Sequence, residues 1–153
     1  MKIINYFILF GITLVLTGCP GLFDSGSEKI IGRYQVLWID VWENQKISKQ
    51  DKEHPSGSSV LVPEYVYAVG HNDEYIIAKQ HPTSGFEKGY KVDTSITNYY
   101  MIQMNEEEEY KDLVFGPLTI HQFDSIRREK GIESLEFDMN YPDNGSSIPP
   151  DFW

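Results

Sequence analysis

Apolar and polar positions along this chain read as strands in several runs, with a clear period of two over Tyr65 to Gln80, and take a helical period after Thr119. From Ile30 to Trp42 both parities are apolar, with Tyr34, Val36, Trp38 and Trp42 on one and Ile31, Leu37, Ile39 and Val41 on the other. That pattern predicts a central strand covered on both faces. Glu43 to Ser59 has no period and many breakers, which predicts a solvated excursion, with a short strand over Val60–Val62 before Pro63. Tyr65 to Gln80 reads as two alternating runs meeting at Asn72-Asp73, a pair that tolerates the positive φ of a tight hairpin; His71 would then face Glu74, Gly70 face Tyr75 and Val69 face Ile76.

His81 to Thr97, interrupted by Pro82, Gly85 and Gly89, is long for a connection and predicts a surface loop, tied down in part through Phe86 and Tyr90. Asn98–Met104 and Tyr110–Phe115 form a second hairpin through Asn105 and four consecutive glutamates, Glu106 to Glu109, and Gly116-Pro117 ends the sheet run. Thr119 with Gln122 three positions later makes a capping box, so a helix starts there. Ile120, Phe123 and Ile126 should face inward, Arg127, Arg128 and Lys130 should sit at the negative end of the helix dipole, and Gly131 should supply the left-handed stop after Lys130. Ile132–Met139 adds an edge strand through Leu135 and Phe137, and Asn140–Trp153 is a tail rich in Pro, Asn and Ser. The expected fold class is therefore α+β: an antiparallel β-sheet of about five or six strands with one α-helix, in the C-terminal half, packed on a face.

The first residues belong to another regime. Lys2 is followed from Ile3 to Thr17 by a mostly apolar stretch that closes on Leu16-Thr17-Gly18-Cys19. Fifteen helical residues span roughly 22 Å, less than the roughly 30 Å of a hydrocarbon core, so the stretch reads as a removable signal and not as a permanent span. Leu16-Thr17-Gly18-Cys19 resembles the lipobox of bacterial lipoproteins, in which a diacylglycerol is attached to the cysteine sulfur and a peptidase then cuts on its amino side. The residue types fit that chemistry: the thiol takes the lipid as a thioether, and Thr17 and Gly18 are small enough for the peptidase to reach the bond. Each buried CH₂ of the acyl chains contributes about 0.8 kcal/mol, so two or three chains hold the protein where one would not. Cys19 is the only cysteine of the chain, which excludes an internal disulfide and a cysteine-rich zinc site. Pro20 at the next position, with no Asp there, resembles lipoproteins passed on to an outer membrane where the cell has one. The expected organisation is a signal peptide over 1–18, a lipidated tether over 19–29, a single domain over 30–139 and a tail over 140–153.

Charge narrows the partners. The 153 residues carry a formal net charge of −10, which repels nucleic-acid phosphates and anionic headgroups and attracts a basic protein, a cationic sugar or a divalent metal. The 41% of apolar residues, 14% of the chain being aromatic, supplies enough burial for an ordered domain.

Candidate chemistry is sparse. His54, His71, His81 and His121 share no metal-binding spacing, and no serine lies in a nucleophile motif. Glu106 to Glu109 read as a solvated turn. Asp138, Asn140 and Asp143 make only a partial calcium-loop pattern, with Pro142 where a ligand is wanted. No catalytic residue, metal ligand or cofactor is therefore assigned. Phe152 and Trp153 lie beyond the last expected element, and two large rings there either pack back or dock on a partner.

Gly32-x-Tyr34, Tyr75-Ile76-Ile77-Ala78-Lys79-Gln80, Tyr99-Tyr100-Met101-Ile102 and Gly116-Pro117-Leu118-Thr119 with Phe123 following resemble an uncharacterised family of small bacterial lipoproteins, a domain of unknown function. The resemblance implies the fold and the lipoprotein character and brings no activity. The expectation is a non-enzymatic interaction domain, tethered to the bacterial cell envelope by lipid on Cys19, that engages a basic envelope or secreted protein in the manner of an immunity or inhibitor protein. A second reading is an envelope enzyme or small-ligand binder with its site in the loops around His54 and His81, and a third is a structural lipoprotein with no discrete partner.

Overall fold

A computed structural model describes residues 25–39, 44–83, 92–107 and 112–141. The first apolar run is broken where its pattern gives no sign of a break. Gly32 adopts a left-handed φ of 53°, the chain reverses, and two strands result: β1 (Gly26–Ile31) and β2 (Tyr34–Trp38), paired antiparallel. β2 is the central strand the pattern predicts, flanked on its other side by β3 (Lys46–Gln50), which pairs in turn with β4 (Ser58–Val62).

β3 lies inside the stretch expected to be a solvated excursion. Its polar composition conceals that Ile47, Ser48 and Lys49 are all buried. β1 likewise begins within the stretch expected to be tether, so Gly26 to Lys29 are paired backbone.

The second sheet has the order β8-β7-β6-β5-β9, built from β5 (Val66–His71), β6 (Tyr75–Gln80), β7 (Asn98–Gln103), β8 (Leu113–Leu118) and the two-residue β9 (Met139–Asn140). The β5–β6 hairpin exists, but its register differs from the expected one by two positions: His71 pairs with Ile76, Gly70 with Ile77 and Val69 with Ala78. The reason is local. Asn72 does not take a positive φ; its side-chain Oδ1 instead accepts the N–H groups of Glu74 at 2.9 Å and Tyr75 at 2.7 Å, which centres the turn on Asp73-Glu74. A shift of two preserves which side chains share a face.

β8 does not stop at Gly116-Pro117 but runs on to Leu118. β8 is an edge strand, and its register against β7 shifts between Tyr99 and Met101, so Pro117, which has no N–H, falls at a bulge where the ladder does not need one.

Two cores follow from this arrangement. Val36, Ile47 and Val62 of the first sheet meet Val69, Ile76 and Ile102 of the second, making a sandwich. On the far side of the second sheet Ile77 and Met101 meet Phe123 and Ile132. β6 contributes to both, which is why Tyr75-Ile76-Ile77-Ala78 is an unbroken apolar run.

The helix α1 (Ile120–Lys130) has the expected capping box between Thr119 and Gln122 and the expected left-handed cap at Gly131. Phe123 is 1% exposed and Ile126 packs beside it, whereas Ile120, expected to face inward, is 42% exposed. Ile132 to Asp138 forms no strand; Ile132, Leu135 and Phe137 pack as coil against Phe123 and its neighbours. That coil crosses Gly70 so closely that a Cβ there would stand 1.9 Å from the Glu136 carbonyl oxygen, so the glycine admits the backbone and not, as the expected register had it, the Tyr75 ring. The domain closes on Tyr141, which is buried, takes its N–H to the Tyr67 carbonyl at 2.8 Å and donates its hydroxyl to Glu28 at 3.0 Å. Burial and that carboxylate push the Tyr141 phenol far above its usual range, so it stays a donor.

Candidate functional site

β1 runs away from the end at which the N-terminal segment enters, and strand alternation then gathers four connections at the opposite end. They are linked to one another: the Gln50 N–H donates to the Arg33 carbonyl at 2.9 Å and the Met104 N–H to the Glu74 carbonyl at 2.9 Å, while Arg33 holds Glu106. This far end comprises the Gly32-Arg33 turn, the segment 51–57, the turn at Asp73-Glu74 and residues 104–107.

Three of its loops are shaped by one device, a side-chain oxygen accepting backbone N–H groups two or three residues on. Asp51 Oδ1 accepts from Glu53 at 2.8 Å and His54 at 3.2 Å, which holds the Asp51 carboxyl below the usual range. Asn72 plays this part in the β5–β6 turn, and Asn105 Oδ1 accepts from the Glu107 N–H at 3.2 Å. Glu53, Asp73, Glu74, Glu106 and Glu107 stand exposed on these loops.

Beneath them lies a clasp between the two sheets. Lys49 of β3 and Asp112, just before β8, are both about 2% exposed, with Lys49 Nζ 3.0 Å from Asp112 Oδ2. Nζ also donates to the Asn105 carbonyl at 2.6 Å and lies 5.4 Å from the centre of the Tyr34 ring. The other carboxylate oxygen, Oδ1, accepts from the Tyr34 hydroxyl and from the Asn105 N–H at 2.9 Å. Burial first, and then the bond to Asp112, push the Tyr34 phenol well above its ordinary value, so it keeps its proton and donates.

At the rim Arg33 completes the clasp. Its guanidinium donates to the Gln50 carbonyl at 3.0 Å and the Glu106 carbonyl at 2.7 Å, and its backbone N–H donates to Glu106 Oε1 at 3.2 Å. Glu106 seats so close to Gly32 that a Cβ there would fall 1.5 Å from Oε1. Glycine is therefore required twice at that position, for its φ and for this contact.

The residues singled out in the sequence fall differently. Cys19 with Leu16, Thr17 and Gly18, and Phe152 with Trp153, lie outside the described residues, as do Glu108, Glu109, Phe86 and Tyr90. His54 is exposed on the far-end loop, whereas His81 is buried at the near end of β6, its ring stacked on Tyr67 at 4.3 Å and its Nδ1 2.7 Å from the Ile96 carbonyl. The structure does not bring these two together. His71 flanks the β5–β6 turn and His121 is exposed in the first turn of α1.

Tyr34, Lys49, Asn105 and Asp112 were missed as a group. Only the parity that Lys49 shares with Ile47 could have hinted that a lysine turns inward there. Among the described residues no group of three His, Cys, Asp or Glu side chains is placed to hold a metal ion. Residues 31–142 match a family described as a protein of unknown function, DUF3997. Comparison with curated proteins and with solved structures finds no match.

Proposed function

The chain belongs to the DUF3997 family, and we propose that it acts as a lipid-anchored lipoprotein of the bacterial envelope whose acidic far end binds a basic protein. The observation that carries the reading is the placement of Glu53, Asp73, Glu74, Glu106 and Glu107 at the end opposite the entry of the N-terminal segment. Seven residue steps separate Cys19 from Gly26, a reach of about 25 Å at full extension. A domain anchored through Cys19 thus stands close to the bilayer with its acidic loops pointing outward.

Acidic groups on a rim act mainly through encounter rate and selection of partner. An immunity or inhibitor protein facing a basic lytic enzyme would use such a surface. An enzyme built around His54 and His81 draws no support, since those residues occupy opposite ends of the sandwich.

The test is capture from envelope extract on the immobilised protein over a series of salt concentrations. A basic protein should be retained at low salt and released as salt rises, and Glu53→Lys, Asp73→Lys and Glu107→Lys together should abolish its retention while Asp124→Lys, on the helix, leaves it intact. Retention that ignores the far-end reversals, or no basic protein retained at any salt, contradicts the reading.

A further inference from the structure

Lys49 and Asp112 are a lysine and an aspartate buried together between the two sheets. Lys49 Nζ and Asp112 Oδ2 are 3.0 Å apart with about 2% of either side chain exposed. An ion pair at such a depth has lost the hydration of both charges. Their hydrogen bond is the path along which one proton can pass from Nζ to Oδ2, giving an amine and a carboxylic acid in contact.

The neighbours are arranged for what such a pair can do next. Asp112 Oδ1 receives two donors, the Tyr34 hydroxyl and the Asn105 N–H, the arrangement that stabilises negative charge developing on a carbonyl oxygen. The Asn105 carbonyl accepts from Nζ at 2.6 Å and fixes the amine beside the carboxyl. Nucleophile, electrophile and oxyanion donors are thus preorganised in a site closed to bulk water.

We propose that Lys49 and Asp112 are joined by an intramolecular isopeptide bond formed by the folded protein itself. The neutral Nζ attacks Cγ of the protonated Asp112 carboxyl, and the C–N bond forms as the charge on Oδ1 is held by Tyr34 and Asn105. Oδ2 takes the second proton released by the nitrogen and leaves as water. One amide is made, one C–O bond is broken, one water departs, and no oxidant or cofactor is consumed. Tyr34 is the catalytic donor.

The product ties β3 of the first sheet to the entry of β8 in the second, closing a chain segment of 63 positions directly beneath the acidic loops. Such a bond forms within the fold itself and depends neither on the anchor nor on any partner.

Peptide mass spectrometry on the full-length protein tests it without reliance on a variant. With the bond present, trypsin cannot cut after Lys49, so the peptide Ile47–Lys52 should appear joined to the peptide Asp112–Arg127, lighter by one water than their sum. Lys49→Arg should release Asp112–Arg127 unjoined, and Tyr34→Phe should slow formation of the joined species on the order of 100-fold. Recovery of Asp112–Arg127 unmodified from the wild type, together with complete cleavage after Lys49, overturns the proposal. A joined mass that persists in Lys49→Arg overturns its assignment to that side chain.

Discussion

Phe123→Ala is expected to destabilise the domain by about 3–5 kcal/mol, the range for emptying a fully buried aromatic site. Phe123 is the buried residue of α1 and the anchor of the second core: it stacks on Tyr99 at 5.0 Å and on Phe137 at 6.2 Å, with the Arg127 guanidinium 5.3 Å from its ring centre. Truncation leaves α1 with only Ile126, half-buried, as an apolar contact, while the sandwich between the sheets keeps its own core. Denaturant unfolding measures the total. Amide exchange locates it, because protection in Ile120–Lys130 should fall much further than protection in β2 or β3. An equal loss everywhere would mean that the two cores are one cooperative unit.

Lys49→Met should cost a similar amount, about 3–5 kcal/mol, for a different reason. Methionine fills the space but leaves Asp112 at about 2% exposure as a free carboxylate with no lysine nitrogen beside it or bonded to it, and Tyr34 and the Asn105 N–H cannot by themselves offset a buried charge. The double variant Lys49→Met/Asp112→Leu removes the stranded charge as well. It should therefore be more stable than the single variant although it has lost one more polar contact. Thermal melts of the two side by side give the sign. A double variant weaker than the single would show that Asp112 stabilises the domain chiefly through Tyr34 and Asn105.

What could be read from the sequence was what depends on neighbours within a few positions. The capping box at Thr119 and Gln122, the stop at Gly131 and the strand-forming runs of β5, β6 and β7 all announce themselves locally, and all are present. β3 was hidden because Lys49 is polar until it is paired, and its partner lies 63 positions away. β1 and β2 merged into one expected strand because apolar character continues across Gly32, whose left-handed φ has no periodic signature. The β5–β6 register moved because Asn72 uses its side chain where its backbone was expected to act. The expected α+β class holds, with the helix on one face of a five-stranded antiparallel sheet, and among the described residues a second sheet of four strands joins it. The clasp was illegible for the same reason as β3: Tyr34, Lys49, Asn105 and Asp112 meet only when the two sheets close on each other. The acidic character of the far end was visible as a run of glutamates, but its placement opposite the N-terminal entry required the strand order.

The proposed function depends on lipid at one sulfur, and the N-terminal peptide of the membrane-fraction protein reports on it directly. Trypsin should release Cys19–Lys29 with its new N-terminus at Cys19 and a diacylglycerol thioether on the side chain. A peptide carrying residues that precede Cys19, or Cys19–Lys29 with a free thiol, would contradict the account.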